Sequence, residues 1–317
     1  MAQKHPLRFG VFSHNMAPLD TLISQAQKAE RIGYATFLVP DHIGDQFATT
    51  LALAKVAEVT SHIRIGSFVF DNDFRHPVLL AKDAATLDQF SNGRLELGMG
   101  AGWMKAEYEQ CGLSFDAPGV RIGRLEESIN IVKPLLRHET VSYSGKYYKV
   151  DRIMIHPQSM QKPAPPLFIG GSGKRLLSLA GRHAEIVGFT PKTEATQVEG
   201  HMNHALDMRD ASSEALAQKV VWVRKAAESR FENLELNIVV LDLAVTHSQQ
   251  EGVQQLMDNY QLTEEQVLDS PHFLAGPVEQ ICQMILDIRE QLGISYWTVW
   301  EEHLDRFAPI VQRLANQ

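Results

Sequence analysis

Hydrophobic and polar positions along the chain switch repeatedly between a period of two and a period near 3.6. Leu7 to Phe12 reads as a strand, and Leu19 to Ile32 carries apolar residues at helical spacing before Gly33 stops it. Ala35 to Val39 is a second apolar strand, ending at Pro40-Asp41-His42, and Phe47 to Val59 is a second helix. Ile63 to Val69 is a third strand, rich in β-branched residues. Pro77 opens the next helix, at a position where the missing proline N–H has no partner to lose. Leu80, Ala84, Leu87 and Phe90 recur at helical spacing, and Ser91-Asn92-Gly93 supplies the turn that ends it. Arg94 to Met99 is a fourth strand and closes on Gly100-Ala101-Gly102.

The rhythm is interrupted between Cys111 and Pro165. A helix from Arg121 to Leu136 presents Arg124, Glu126 and Glu127 to solvent, and Thr140 to Val150 reads as a hairpin around Ser144-Gly145, laid outside the main sheet. Leu167 to Ile169 is a fifth strand, followed by Gly170-Gly171-Ser172-Gly173-Lys174-Arg175, which opens a helix ending near Gly181. Ala184 to Phe189 is a sixth strand, and residues 191 to 233 are polar, alanine-rich and helical in pattern. Leu236 to Val245 is a seventh strand. Helical stretches follow at Gln249–Met257, Thr263–Leu268 and Pro277–Leu292, then an eighth strand at Ile294–Val299 and a closing helix at Leu304–Leu314. Eight strands alternating with helices is the count of a (β/α)8 TIM barrel. The pattern therefore predicts an α/β fold in one domain over residues 1–317, with insertions at about 111–165 and 191–233 and an active site at the carboxyl ends of the strands.

Composition narrows the function. With 317 residues, 44% of them hydrophobic and 21% charged, the chain has apolar material for a sizeable core. No apolar run approaches the ~18 residues of a membrane span, and MAQKHPLRFG has no apolar signal segment, so a cytoplasmic protein is expected. Cys111 and Cys282 are two cysteines far apart, which points to free thiols. A net charge of -8 argues against a nucleic-acid surface while leaving room for a local pocket for one anionic ligand.

The strand ends carry the candidate chemistry. After strand one come Ser13, His14 and Asn15, one histidine where a metal-dependent hydrolase would want a His-x-His pair, so no metal is expected. After strand two, Asp41 and His42 can hydrogen-bond a heterocycle edge and move a proton near neutral pH, or can be a capping aspartate beside a surface histidine. After strand three, Phe68-Val69-Phe70 forms an apolar wall or plain barrel filling, and Arg75 and His76 form a helix entrance. After strand four, Gly100-Ala101-Gly102-Trp103 sets small residues beside an indole, which suits a flat ring, or is a tight turn. After strand five, the glycine loop at the start of a helix offers free N–H groups for a phosphate, with Lys174 and Arg175 as solvated neighbours. Thr190 and Lys192 after strand six are candidates for a substrate anion.

RHPVLLAKDAATLDQFSNGRLELGMGAGW, PDHI near residue 41 and PPLFIGGSGKRLLSLAGRHAEIVGF closely resemble the bacterial luciferase-like family of flavin and deazaflavin oxidoreductases. SPHFLAGPVEQICQMILDIREQLGISYWTVWEE looks like its F420-dependent branch. The resemblance implies a barrel whose mouth holds the ring, with Asp41 and His42 at its border, Phe68 and Val69 behind it at a bond that is often cis in members, and Gly100, Ala101, Gly102 and Trp103 along its edge. Gly170, Gly171, Ser172 and Gly173 match the phosphate loop. Trp103 stands where sugar-phosphate dehydrogenases of the family carry a glutamate acid, so His42 is the proton donor by elimination. Coenzyme F420 and hydride transfer at its C5 to or from a small organic substrate are implied, with FMN and an oxygen-activating monooxygenase as the alternative and a non-catalytic flavin or deazaflavin binder ranked below. A homodimer is expected from the same resemblance.

Overall fold

The structure, a computed structural model, describes residues 5–14, 18–198, 201–315 and 317, so Asn15 of the first strand end lies outside the described residues. The chain divides into two compact units. One comprises Phe12–Arg31 and Ala35–Ile169, the other Met1–Val11, Ile32–Tyr34 and Gly170–Gln317.

The first stretch of chain runs β1 (Arg8–Phe12), α1 (Leu19–Ile32), β2 (Thr36–Val39), α2 (Thr49–Val59), β3 (Arg64–Ser67), β4 (Phe70–Asp71) and α3 (Pro77–Phe90). It continues through β5 (Leu95–Gly100), α4 (Lys105–Gln110), α5 (Pro118–Leu136), β6 (Val141–Ser144), β7 (Lys149–Ile153) and β8 (Leu167–Gly171). Within the first unit β2 pairs β3, β3 and β4 pair β5, and β5 pairs β8, all parallel. Every residue of β2 and β5 is buried, the mark of strands covered on both faces, and this is why both are mainly apolar, the buried Glu96 of β5 being paired with Arg64 at 2.8 Å. Helix α3 starts as predicted: Pro77 follows His76, whose Nδ1 accepts the Val78 N–H at 3.3 Å. Its core face holds Leu80, Ala84 and Leu87, whereas Phe90, predicted on that face, is 64% exposed in the last turn.

Three predicted segments need correction in this unit. The third strand does not run to Val69: it breaks after Ser67 at a cis Phe68–Val69 peptide bond and resumes as β4 beside β5. Helix α4 is new. On α5, Arg124 and Glu127 do not face solvent freely: Arg124 pairs with Asp73 and Asp116, and the hairpin β6–β7 folds back onto Glu127. The Glu127 carboxylate accepts the N–H groups of Lys146, Tyr147 and Tyr148 at 2.7, 2.9 and 3.1 Å, and so pins the hairpin tip.

The second unit contains α6 (Lys174–His183), β9 (Ile186–Phe189), β10 (Thr193–Val198), β11 (His201–Leu206), α7 (Ser213–Ala227), β12 (Glu235–Val239) and β13 (Asp242–Val245). It ends with α8 (Gln249–Tyr260), α9 (Glu264–Asp269), β14 (Phe273–Gly276), α10 (Val278–Leu292), β15 (Ile294–Trp300) and α11 (Leu304–Leu314). Strands β9, β12 and β15 form a parallel ladder. The predicted seventh strand is two strands. β12 belongs to that ladder, while β13 pairs with β14 in a separate parallel pair over a small core of Ala244, Val253, Leu256, Val267 and Phe273. The region predicted as helical from 191 opens instead with the antiparallel hairpin β10–β11, and α7 begins only at Ser213, capped by the Ser212 hydroxyl.

Cys111 is exposed, Cys282 buried, and both are free thiols, as expected. Among the described residues no helix is long and apolar enough to cross a membrane.

Candidate active site

The end of β2 delivers two adjacent side chains with different fates. Asp41 is 9% exposed, and its carboxylate is fully engaged: Arg75 grips it in a bidentate pair at 2.7 and 2.8 Å, the Thr49 hydroxyl donates at 2.9 Å and the Asp71 N–H at 2.9 Å. That geometry makes Asp41 a brace between β2, α2 and β4. His42, the next residue, keeps a 26% exposed side chain. Its Nδ1 lies 3.0 Å from both oxygens of Glu107, whose Oε1 also accepts the Ile43 N–H at 2.9 Å. The indole of Trp103 stands edge-on to the imidazole, 5.9 Å between centroids and 84° between planes.

At the end of β3, Phe68 is half-buried and rests on two rings behind it. Phe12 stacks at 5.3 Å and Phe168 meets it edge-on at 5.4 Å, so one face of the wall is fixed from within the unit. Val69 is half-buried beside it. Two glycines of β5 are required by this arrangement: a Cβ on Gly98 would strike the Ser67 carbonyl, and one on Gly100 would come within 2.5 Å of Val69 Cγ2. Gly102 adopts φ +72, and a Cβ there would collide with the Tyr108 hydroxyl. Beneath this loop Arg121 is buried, and its guanidinium donates to the carbonyls of Ala101 at 3.0 Å, Gly102 at 3.3 Å and Asp116.

Behind the glycine loop sits a cluster of carboxyl groups. The Tyr108 hydroxyl donates to Asp71 at 2.9 Å and Asp73 at 3.2 Å, and Arg124 binds Asp73 at 2.6 and 2.9 Å while also reaching Asp116 at 2.6 Å. Burial pushes the Asp71 carboxyl up to about 6, with the charges of Asp73 and Asp41 adding to the rise and the Asp73 N–H and Tyr108 hydroxyl opposing it. The arginines of these loops are therefore committed to carboxylates or carbonyls, while Ile43, Phe47 and Trp103 are 46, 37 and 49% exposed.

In the second unit the predicted phosphate loop, Gly170 to Gly173, is half-buried and leads directly into α6, whose N-cap Gly173 makes no side-chain cap. A Cβ on Gly173 would meet nothing within 4 Å, and one on Gly170 only the Gly188 carbonyl at 3.9 Å, so packing within the protein does not demand glycine at either position. Uncapped first-turn N–H groups beside that open space fit a phosphate. Thr190 and Lys192 are drawn into a structural knot: the buried Lys219 donates to the Thr190 carbonyl at 3.1 Å and to the Asp210 carboxylate at 2.7 Å, and Lys192 Nζ lies 3.6 Å from Asp210. His272 is completely buried nearby in sequence order to β14. Its Nδ1 pairs with the Val239 carbonyl at 2.8 Å, and burial, with the Lys219 charge adding, lowers the imidazole to about 4.

Glu107, Tyr108 and Arg121 were not marked by sequence reasoning. Glu107 and Tyr108 lie in a six-residue helix, too short for a 3.6-residue period to be read, and Arg121 resembles any basic residue at a helix start. Among the described residues no group of three or more His, Cys, Asp or Glu is placed to hold a metal ion.

A family model described as luciferase-like monooxygenase matches residues 4–295. The chain is 29% identical over 196 residues to the oxygenase component of a flavin-dependent trigonelline monooxygenase from Acinetobacter baylyi, covering 59% of this chain and 54% of that protein. It is 32% identical over 192 residues to an F420-dependent glucose-6-phosphate dehydrogenase from Nakamurella multipartita, covering 57% and 55%. The chain thus spans little more than half the length of either relative. Among solved structures, coenzyme F420-dependent tetrahydromethanopterin reductase from Methanopyrus kandleri is similar with a TM-score of 0.74 at 17% identity, over 98% of this chain and 99% of that one. Such a likeness shows the fold, which is the (β/α)8 barrel class that the alternation of strands and helices predicts.

Proposed function

The chain belongs to the luciferase-like monooxygenase family, and from that premise we propose that it is a coenzyme F420-dependent oxidoreductase moving a hydride between the deazaflavin and a small organic substrate. The observation that carries the reading is the pairing, at neighbouring strand ends of one unit, of a ring-backed apolar wall at Phe68-Val69 with an imidazole at His42 that is held on one nitrogen and partly exposed.

Residue roles follow from that geometry. Phe68 and Val69 would form the dry wall behind the ring, with Gly100 to Gly102 along its edge and Trp103 at its flank. Asp41 acts through Arg75, Thr49 and the Asp71 amide, holding the end of β2 in place. In the other unit, taken by itself, the amides of Gly170, Gly171, Ser172 and Gly173 would suit a phosphate. A bound deazaflavin supplies a carbon at C5 that gives or takes hydride and does not readily activate oxygen. His42 takes up or returns the proton that accompanies the hydride. Because the loop arginines are internally paired and the rim carries Ile43, Phe47 and Trp103, the substrate read here is small and largely apolar rather than a sugar phosphate.

Similarity to a flavin-dependent monooxygenase at nearly the same identity supports FMN as the second reading, with the same residues around the ring. Titration of the apo-protein with FMN and with coenzyme F420, followed by fluorescence, tests the choice. Tight binding of F420 is expected, and tight binding of FMN alone reverses the order. A homodimer in the cytoplasm completes the proposal, and light scattering on the purified protein checks the oligomer.

A further inference from the structure

We infer that Glu107 is the positioning residue that fixes His42 in the tautomer protonated at Nδ1, so that Nε2 is the nitrogen that exchanges the proton; this rests on the role given to His42 above. A carboxylate only accepts hydrogen bonds, so an imidazole nitrogen 3.0 Å from both oxygens of Glu107 must carry the hydrogen. A neutral imidazole has one such hydrogen, and with it on Nδ1 the lone pair belongs to Nε2. The opposite tautomer would set a lone pair against a carboxylate that is 10% exposed, where little water is available to relieve the repulsion.

The carboxylate also fixes the direction of the ring. Its Oε1 accepts the Ile43 N–H at 2.9 Å, so one group holds both the side chain of His42 and the peptide that follows it. Glu107 is held in turn. The next residue, Tyr108, is completely buried and its hydroxyl donates to Asp71 and Asp73, which anchors the short α4 against the end of β4. Trp103, edge-on at 5.9 Å, limits rotation from the other side. His76 makes the contrast within the same unit. Its Nδ1 accepts the Val78 N–H at 3.3 Å, so its hydrogen belongs on Nε2, the reverse of His42.

The test reads the tautomer directly. In full-length protein labelled with 15N-histidine, long-range proton–nitrogen spectra at about pH 8, above the ~6.5 of a free imidazole, give each ring's protonated nitrogen, with His42 assigned by its absence in His42→Ala. The expected result is a protonated Nδ1 for His42 and a protonated Nε2 for His76. Glu107→Leu removes the acceptor and is expected to move His42 to a mixture of tautomers and to lower turnover about tenfold or more, with coenzyme affinity by fluorescence titration changed less than about threefold. Glu107→Gln retains an acceptor oxygen, so it keeps the Nδ1 tautomer and recovers part of the lost turnover. A protonated Nε2 on His42 in the wild type overturns the inference, even if Glu107→Leu proves unfolded, and so does an unchanged tautomer in a folded Glu107→Leu. Undiminished turnover of His42→Ala overturns the proton role of His42 instead and leaves the tautomer assignment standing.

Discussion

The candidate sites of the two units rely on different polar groups. In the unit of Phe12–Arg31 and Ala35–Ile169, polar side chains at and near strand ends are locked to one another, Asp41 with Arg75, Asp73 with Arg124 and His42 with Glu107. In the other unit the glycine loop at Gly170–Gly173 offers backbone amides, and the buried pairs Lys219–Asp210 and His303–Asp242 lie away from that loop in the sequence. The difference separates two tasks. A proton carrier needs a side chain whose orientation is fixed, whereas a phosphate needs amides and open space.

The largest expected effect falls on the first task. His42→Ala should lower turnover by roughly 10²- to 10⁴-fold while coenzyme affinity, measured by fluorescence titration, stays within about threefold. Equal losses in both would mean that the imidazole binds the ring and carries no proton. Asp41→Ala should instead act on stability: it strips Arg75 and the Asp71 amide of this acceptor at once, while the Thr49 hydroxyl keeps the Pro40 carbonyl, at a cost of about 3 kcal/mol in urea unfolding. A cost near zero would show that the brace does not hold the end of β2.

The pH dependence of stability should differ in sign between the units. Asp71 binds its proton more tightly folded, at about 6, than unfolded, so folding takes up a proton and the group's contribution falls as pH rises from about 4 to 6. Asp71→Asn should therefore gain up to about 3 kcal/mol above that window and nothing below it. His272, lowered to about 4, remains neutral when folded while the unfolded imidazole protonates, so its contribution is lost as pH falls through about 6.5 towards 4. Thermal melts of Asp71→Asn and His272→Leu across this range should show the two slopes removed separately. Parallel wild-type and variant curves would contradict the assigned burial.

The smallest effect carries the sharpest contrast. Gly173 has φ -85 and ψ 142 at an uncapped helix start, a conformation suited to aspartate, and open space where a Cβ would go. Gly173→Asp should raise stability by roughly 0.3 kcal/mol and at the same time weaken coenzyme binding about tenfold by charge repulsion. Stabilisation with unchanged affinity would remove the phosphate from this loop.

Much of the fold was legible because burial on one face or on both leaves a local period. The predicted helices Leu19–Ile32 and Leu304–Leu314 match the observed ones, each bearing a strong apolar stripe, and the parallel strands fell within a residue or two because they are buried on both sides. Local period is silent about which ladder a strand joins. One apolar run thus became β12 and β13 in different sheets, and β14 was not separated from its surroundings. The alanine-rich stretch after 191 carried helix propensity, yet its first part pairs as a hairpin, a case of cross-strand hydrogen bonding overriding a weak prior.

By itself the sequence determined the alternation of strands and helices, the residue types standing at each strand end and, in GMGAGW and GGSGKR, where runs of small residues lie. Tertiary structure alone decided their partners. It turned Asp41 into a brace, put Arg121 under the glycine loop and brought Glu107 across 65 residues of chain to His42. The physical reason is that hydrophobic burial is recorded residue by residue along a chain, whereas a hydrogen bond between distant side chains exists only after packing has fixed both ends.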